Sequence, residues 1–150
     1  MADEALSKFN QDDYQISNKT RCYDGFFNVD KYYLQHKKFD GSWTQTFTRE
    51  VFERGDAVVV IPYDAKNDCI VFNEQFRPGA IRTQDNPWLL EFVAGMFGAS
   101  ESPIEVAIRE AKEEANLELD TDFIEPVMNY LSSPGGTSER IYVYVAKVDS

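Results

Sequence analysis

Gly95-Met96-Phe97-Gly98-Ala99-Ser100-Glu101, then Ser102-Pro103-Ile104-Glu105-Val106-Ala107-Ile108, then Arg109-Glu110-Ala111-Lys112-Glu113-Glu114-Ala115-Asn116-Leu117 run without a break. The stretch predicts a loop, a helix and a stop. Ser102 is a good N-cap, Pro103 suits the first helical position, and Glu105 completes a capping box. Ile104, Ala107, Ile108, Ala111 and Ala115 recur at helical spacings and form one apolar stripe. Asn116 stands where a left-handed residue ends a helix, a conformation Asn tolerates better than most residues other than Gly. At about 100° per residue, Glu110, Glu113 and Glu114 fall in one arc beside the stripe, facing a neighbouring element or cleft. Three converging anionic groups repel one another unless a cation joins them. Mg²⁺ fits, because it takes hard oxygen ligands from one or two carboxylates and fills its shell with water and phosphate. On spacing alone, a solvated acidic helix face is the competing reading.

Outward from this helix the pattern is of strands. Tyr14 to Phe52 alternates aromatic and β-branched residues with turn signals. Within it, Phe26 to Leu34 predicts a strand, Asp40-Gly41 a hairpin turn, and Trp43 to Phe52 the returning strand. Ala57 to Tyr63 reads as a buried strand, Asp64 to Asp68 as its turn, and Cys69 to Phe76 as the next strand. Two further apolar strands, roughly Phe123–Leu131 and Arg140–Val148, flank the Gly-rich loop Ser132 to Ser138. One helix among many strands predicts an α+β fold with a mixed or antiparallel sheet. Residues 1–12 read as a frayed polar leader.

Composition limits the partners. The 150 residues are 43% hydrophobic and 14% aromatic, enough to build a packed core of single-domain size. Fifteen Lys and Arg against 26 Asp and Glu give a net charge of −11, which argues against a nucleic-acid-binding surface. A phosphorylated small molecule remains compatible where a metal or local arginines offset the repulsion. No apolar run reaches the length of a membrane span, and the acidic N-terminus is unlike a signal peptide. Cys22 and Cys69 read as free thiols of a cytoplasmic protein, and the lone His36 disfavours a His-rich metal site or a Ser-His-Asp triad.

The spaced positions Gly95, Glu101, Arg109-Glu110-Ala111, Glu113-Glu114 and Asn116-Leu117 resemble the Nudix box, with Asn116 in place of the final glycine. Because Asn also adopts the left-handed turn, the substitution is expected to be tolerated. Arg49 to Gly55, Glu74 to Arg77, Trp88 to Met96 and Ser133 to Arg140 resemble the ADP-ribose pyrophosphatase branch of the same family, so the likeness runs from about Tyr23 to Asp149.

The resemblance implies an α+β Nudix fold with an N-terminal antiparallel arm (1–52), involved in homodimerisation, and a hydrolase core (53–150). It implies Mg²⁺, with Mn²⁺ as a substitute, held by Glu110, Glu114 and the backbone carbonyl of Ala94. Glu113, Glu114 and Arg109 are the implied catalytic group, with Glu113 a companion acid and Arg109 paired to Glu101 to fix helix against loop. Water would attack a diphosphate phosphorus, giving AMP and ribose 5-phosphate from ADP-ribose. Phe26 and Phe27 lie where the branch contacts adenine, and Arg49, Glu50 and Arg54 where a partner subunit reaches in. Arg77 suits a diphosphate clamp, since a guanidinium matches paired oxyanions. Met96, Ser133, Pro134, Gly135 and Glu139 are implied around the terminal ribose. Read without the family, Phe26 and Phe27 are core or interface aromatics, Arg77 a surface arginine, and Gly135-Gly136 a flexible turn.

The branch usually continues beyond the strand ending near Val148, with an acidic loop and a helix. Ending at Ser150, the chain is expected to lack that helix and to be slow in turnover. Two alternatives follow: a hydrolase of another nucleoside-diphosphate sugar, and a module that binds ADP-ribose without cleaving it.

Overall fold

A computed structural model describes residues 8–83 and 85–149. These described residues form ten strands, β1 (Tyr14–Asp24), β2 (Asn28–His36), β3 (Phe47–Glu53), β4 (Ala57–Asp64), β5 (Cys69–Ile70), β6 (Asn73–Phe76), β7 (Trp88–Glu91), β8 (Val93–Met96), β9 (Ile124–Leu131) and β10 (Arg140–Lys147). Among the described residues one α-helix, α1 (Pro103–Ala115), stands with three short 3₁₀ turns, confirming the α+β class. The chain divides into two compact units.

The first unit comprises the residues up to Arg54 together with Ser133–Ser138. Its sheet is the antiparallel meander β1-β2-β3, with Asn28 opposite Glu53 and Leu34 opposite Phe47. Strand β2 starts two residues later than the aromatic run predicts. Phe26 and Phe27 form a bend instead, closed by the Gly25 N–H donating to the Phe27 carbonyl (3.1 Å), with the Phe27 ring edge-on to Phe52 (5.2 Å). Strand β3 likewise starts at Phe47 rather than Trp43, which makes a single bridge to Lys37. Asp40-Gly41 does turn the chain, Gly41 taking φ 85°, and the loop it belongs to is longer than a two-residue hairpin. Residues 1–7 of the expected leader lie outside the described residues. Asn10 does not fray: it caps a 3₁₀ turn over Gln11–Asp13 by a capping box. The one buried charge of this sheet among the described residues, Asp30, accepts from Arg21 and pairs with Lys19 at 2.8 Å, which hold its carboxyl below the usual range.

The second unit runs from Gly55 to Ser132 and resumes at Glu139. Its central strand β4 pairs in parallel with β10, while β9 lies antiparallel outside β10. On the other side of β4, β8 pairs with Ala57–Val60 and β5 with Tyr63–Asp64. The expected strand from Cys69 to Phe76 is broken in two. Phe72 stacks on Phe92 (4.9 Å), and the chain leaves β4 so that β6 pairs with β7 as a separate ribbon. Strands β7 and β8 carry too little alternation to be read as strands from the sequence.

Helix α1 begins and ends as its sequence requires. Ser102 accepts from the Glu105 N–H, Glu105 accepts from the Ser102 N–H, and Asn116 closes the helix at φ 53°, ψ 30°. The expected stripe holds at Ala107, Ile108, Ala111 and Ala115, and the buried face extends beyond it to Val106. Ile104 is 38% exposed, whereas Val106, Ala107 and Ala111 are fully buried against Val58, Val60 and Val93. At about 100° per residue, the order around the helix is Val106, Glu110, Glu114, Ala107, Ala111. Two glutamates therefore point between buried apolar side chains, not beside them.

Candidate active site

The half-buried position of Glu110 and Glu114 decides what each carboxylate must find. Glu110 accepts from Arg109 Nη1 at 2.6 Å and lies directly over the Cα of Gly95 on β8. A Cβ at residue 95 would collide with that carboxylate, so only glycine lets the glutamate lie flat on the strand. Burial pushes the Glu110 carboxyl up, and the Arg109 guanidinium partly offsets this.

Arg109 is the hub of the helix and its loop. Nε and Nη2 grip Glu101 in a fork (2.8 and 3.0 Å), Nη2 also donates to the Met96 carbonyl (3.1 Å), and Nη1 reaches Glu113 at 3.4 Å. Glu101 in turn accepts from the Gly98 N–H at 2.6 Å. Hydrogen bonds from Arg109 and Gly98 hold the Glu101 carboxyl below its ordinary range, and the same carboxylates raise the guanidinium further above its own. The expected pairing of Arg109 with Glu101 is present, extended to strand β8.

Glu114 is held differently. Its Oε1 accepts from Gln75 Nε2 at 2.7 Å, and its Oε2 from Asn73 Nδ2 at 3.2 Å and the Ala94 N–H at 3.1 Å. Every donor named here is neutral, so orientation is fixed without an ion pair, while the Arg77 guanidinium acts on the carboxylate at longer range. Arg77, two residues beyond Gln75 on the same face, pairs with Glu91 at 2.7 Å, and that hydrogen bond raises the guanidinium further.

The three carboxylates do not converge as the helix arc alone suggested. Among the described residues no three His, Cys, Asp or Glu groups stand close enough to hold a metal ion by themselves. Arg109 draws Glu110 to one side, β6 and β8 draw Glu114 to the other, and Glu113 projects outward with its side chain 61% exposed. The donor set still fits a hard divalent cation. Glu101, Glu110 and Glu113 share one fully engaged guanidinium while Glu114 is held by neutral donors, and an ion that keeps water and phosphate ligands needs only one or two carboxylates.

Of the remaining candidates, Met96 ends β8 beside Arg109, and Glu139 is buried at the start of β10, both in the second unit. Phe26, Phe27, Arg49, Glu50, Arg54, Ser133, Pro134 and Gly135 belong to the first. There, Arg54 lies over the Phe27 ring (5.4 Å), Arg49 over Phe47 (4.7 Å), and Glu50 pairs with Lys31 (3.1 Å). The Ser133–Ser138 segment docks on β3, where the Phe52 N–H donates to the Gly136 carbonyl (2.8 Å) and Thr137 Oγ1 to the Phe52 carbonyl (3.0 Å). Asn73, Gln75 and Glu91 were missed by sequence reasoning as partners of the site. The available signal was the two-residue spacing of Asn73 and Gln75 with Arg77.

The fold thus presents a capped helix, two of whose carboxylates face the mixed sheet of an α+β unit. Comparison with known proteins makes this specific. Residues 53–150 match the NUDIX domain model, and the chain belongs to the NUDIX family. It is 44% identical over 142 residues to the ADP-ribose pyrophosphatase of Escherichia coli (strain K12), covering 95% of this chain and 67% of that protein. The ADP-ribose pyrophosphatase of Haemophilus influenzae is 37% identical over 148 residues (97% of this chain, 67% of that one). A GDP-mannose pyrophosphatase of Yersinia pestis is 31% identical over 123 residues (81% and 60%). A crystal structure described as an ADP compounds hydrolase superposes with a TM-score of 0.68 over 94% of this chain and 70% of that one, at 21% identity, and shares the fold. The chain thus spans about two thirds of the length of the ADP-ribose pyrophosphatases it matches.

Proposed function

We propose that this chain hydrolyses the diphosphate of ADP-ribose to AMP and ribose 5-phosphate with a divalent metal ion, Mg²⁺ or in its place Mn²⁺. The observation that carries the reading is the Glu114 carboxylate, half-buried and oriented by three neutral N–H donors rather than by an ion pair. Glu110, Glu114 and the Ala94 carbonyl would hold the ion, with Glu113 at the open flank. When bound, it supplies charge neutralisation on the diphosphate and acidifies water. The reaction forms a phosphorus–oxygen bond from water and breaks the bridging one, the water's proton leaving to solvent or a carboxylate. Arg77 binds diphosphate oxygens by its planar fork, exchanging part of its contact with Glu91. Arg109 and Glu101 keep the helix in register with β8 and touch no substrate.

The 31% identity to a GDP-mannose pyrophosphatase supports a second reading, cleavage of another nucleoside-diphosphate sugar. Product analysis with ADP-ribose and GDP-mannose in parallel separates the two. Faster release of AMP from ADP-ribose is the expected result. Equal or faster release of GMP from GDP-mannose replaces the substrate assignment, and tight ADP-ribose binding without AMP leaves a binding module.

We also infer a homodimer formed through the first unit. Strand β1 is exposed along all eleven residues and carries Tyr14, Ile16 and Tyr23, each at least half exposed. An unpaired edge of that length is covered in most native proteins. Sedimentation velocity at micromolar concentration should give a dimer. A monomer throughout that range contradicts the inference.

A further inference from the structure

We propose that Asn73 and Gln75 are positioning residues for Glu114, two neutral amides on one strand face that orient a metal-binding carboxylate without neutralising it. The inference rests on the reading of Glu114 as a metal ligand and adds a role for a strand outside the carboxylate helix.

Strand β6 alternates cleanly. Asn73 and Gln75 are half-buried, and Arg77 just beyond the strand is too, while Glu74 and Phe76 between them are exposed. The period of two places the three polar residues on one face, towards Glu114, and their neighbours on the other. Both Glu114 oxygens are engaged, Oε1 by Gln75 and Oε2 by Asn73, with the Ala94 N–H sharing Oε2. Glu101 and Glu110 are bound by a guanidinium instead, which lowers what either has left to offer a cation.

Orientation with retained charge is what a ligand carboxylate needs. A cationic partner in place of Gln75 would supply the orientation and cancel the attraction. No partner at all would leave Glu114 free among several rotamers, and metal binding would then bear the ordering cost. The amides meet both requirements. The same face carries Arg77, so one short strand sets the spacing between the carboxylate and the guanidinium read as the diphosphate clamp.

A purely structural tie between ribbon and helix is the competing explanation, and the two differ in what Mg²⁺ does. In the full chain, Gln75→Met keeps side-chain length and removes both donors. Titrated with Mn²⁺ alone and followed by electron paramagnetic resonance, it should bind the ion about tenfold more weakly than the parent. The Mg²⁺ concentration for half-maximal turnover should rise by a similar factor, and kcat at saturating Mg²⁺ should return to within a few-fold of the parent. Asn73→Leu, losing the longer bond, should shift Mn²⁺ binding in the same direction by less, and it serves where Gln75→Met does not fold. Unchanged Mn²⁺ affinity, with a lower unfolding midpoint and a kcat that Mg²⁺ does not restore, overturns the proposal. Glu114→Gln in the same titration separates the levels. If it weakens Mn²⁺ binding while both amide variants leave it unchanged, the positioning role fails alone. If it too binds Mn²⁺ like the parent, the assignment of Glu114 as a ligand fails with it.

Discussion

Glu114→Gln is expected to lower turnover of ADP-ribose by at least about a hundredfold at sub-saturating Mg²⁺, because a hard cation loses an anionic oxygen. The fold should survive. Gln has the same length, and its single carbonyl can still accept from one side of the present donor set. The other side then sets an NH₂ against the Gln75 amide, or against Asn73 and the Ala94 N–H, where an oxygen accepted before. Circular dichroism unchanged from the parent, together with lost activity, is the expected pair of results. Comparable activity in the two proteins removes Glu114 from the site.

The second large effect concerns stability. Arg109→Met should cost about 2–4 kcal/mol, since it removes a bidentate grip on Glu101, the bond to Glu110 and the tie to the Met96 carbonyl at once. It also leaves Glu101, Glu110 and Glu113 facing one another with no local cation. Added Mg²⁺ should therefore stabilise the variant more than the parent, an inversion that lost packing alone does not produce. Urea unfolding with and without Mg²⁺ measures both terms. Stability within about 0.5 kcal/mol of the parent, or an equal response to Mg²⁺, rules out the hub role.

What the sequence made legible follows from how local each signal is. The ends of α1 are written in Ser102, Pro103, Glu105 and Asn116, whose effects act within one turn, and all four act as read. The rotation of that helix is not local. Ile104 is the stronger hydrophobe, yet it sits in the first turn, 38% exposed, while the smaller Ala107 and Ala111 lie against the sheet. The stripe as read took in Ala107 and Ala111 but passed over Val106, and so left Glu110 and Glu114 at an edge. The break between Ile70 and Asn73 was hidden because Val71-Phe72 prolongs an apolar run, and only the Phe92 ring, twenty residues on, shows where Phe72 goes. Asn73 and Gln75 were passed over because neutral amides in a strand carry no charge pattern, and their two-residue spacing with Arg77 was the one weak signal. The pairing of Arg109 with Glu101 came from the family resemblance, and its extension to β8 from the structure.

The two faces of strand β6 make chain length, and not only side-chain identity, a determinant of this site. Asn73, Gln75 and Arg77 share a face because they differ by even numbers of residues. One residue inserted ahead of Asn73, where it slips β6 by one residue against β7, would turn Glu74 and Phe76 towards Glu114, setting a carboxylate and a phenyl ring where two amides donate now. Two inserted residues would restore the alternation. Viable length changes in the short connection after Ile70 are thus governed by parity, a rule that no single substitution reveals and that compares lengths, not letters.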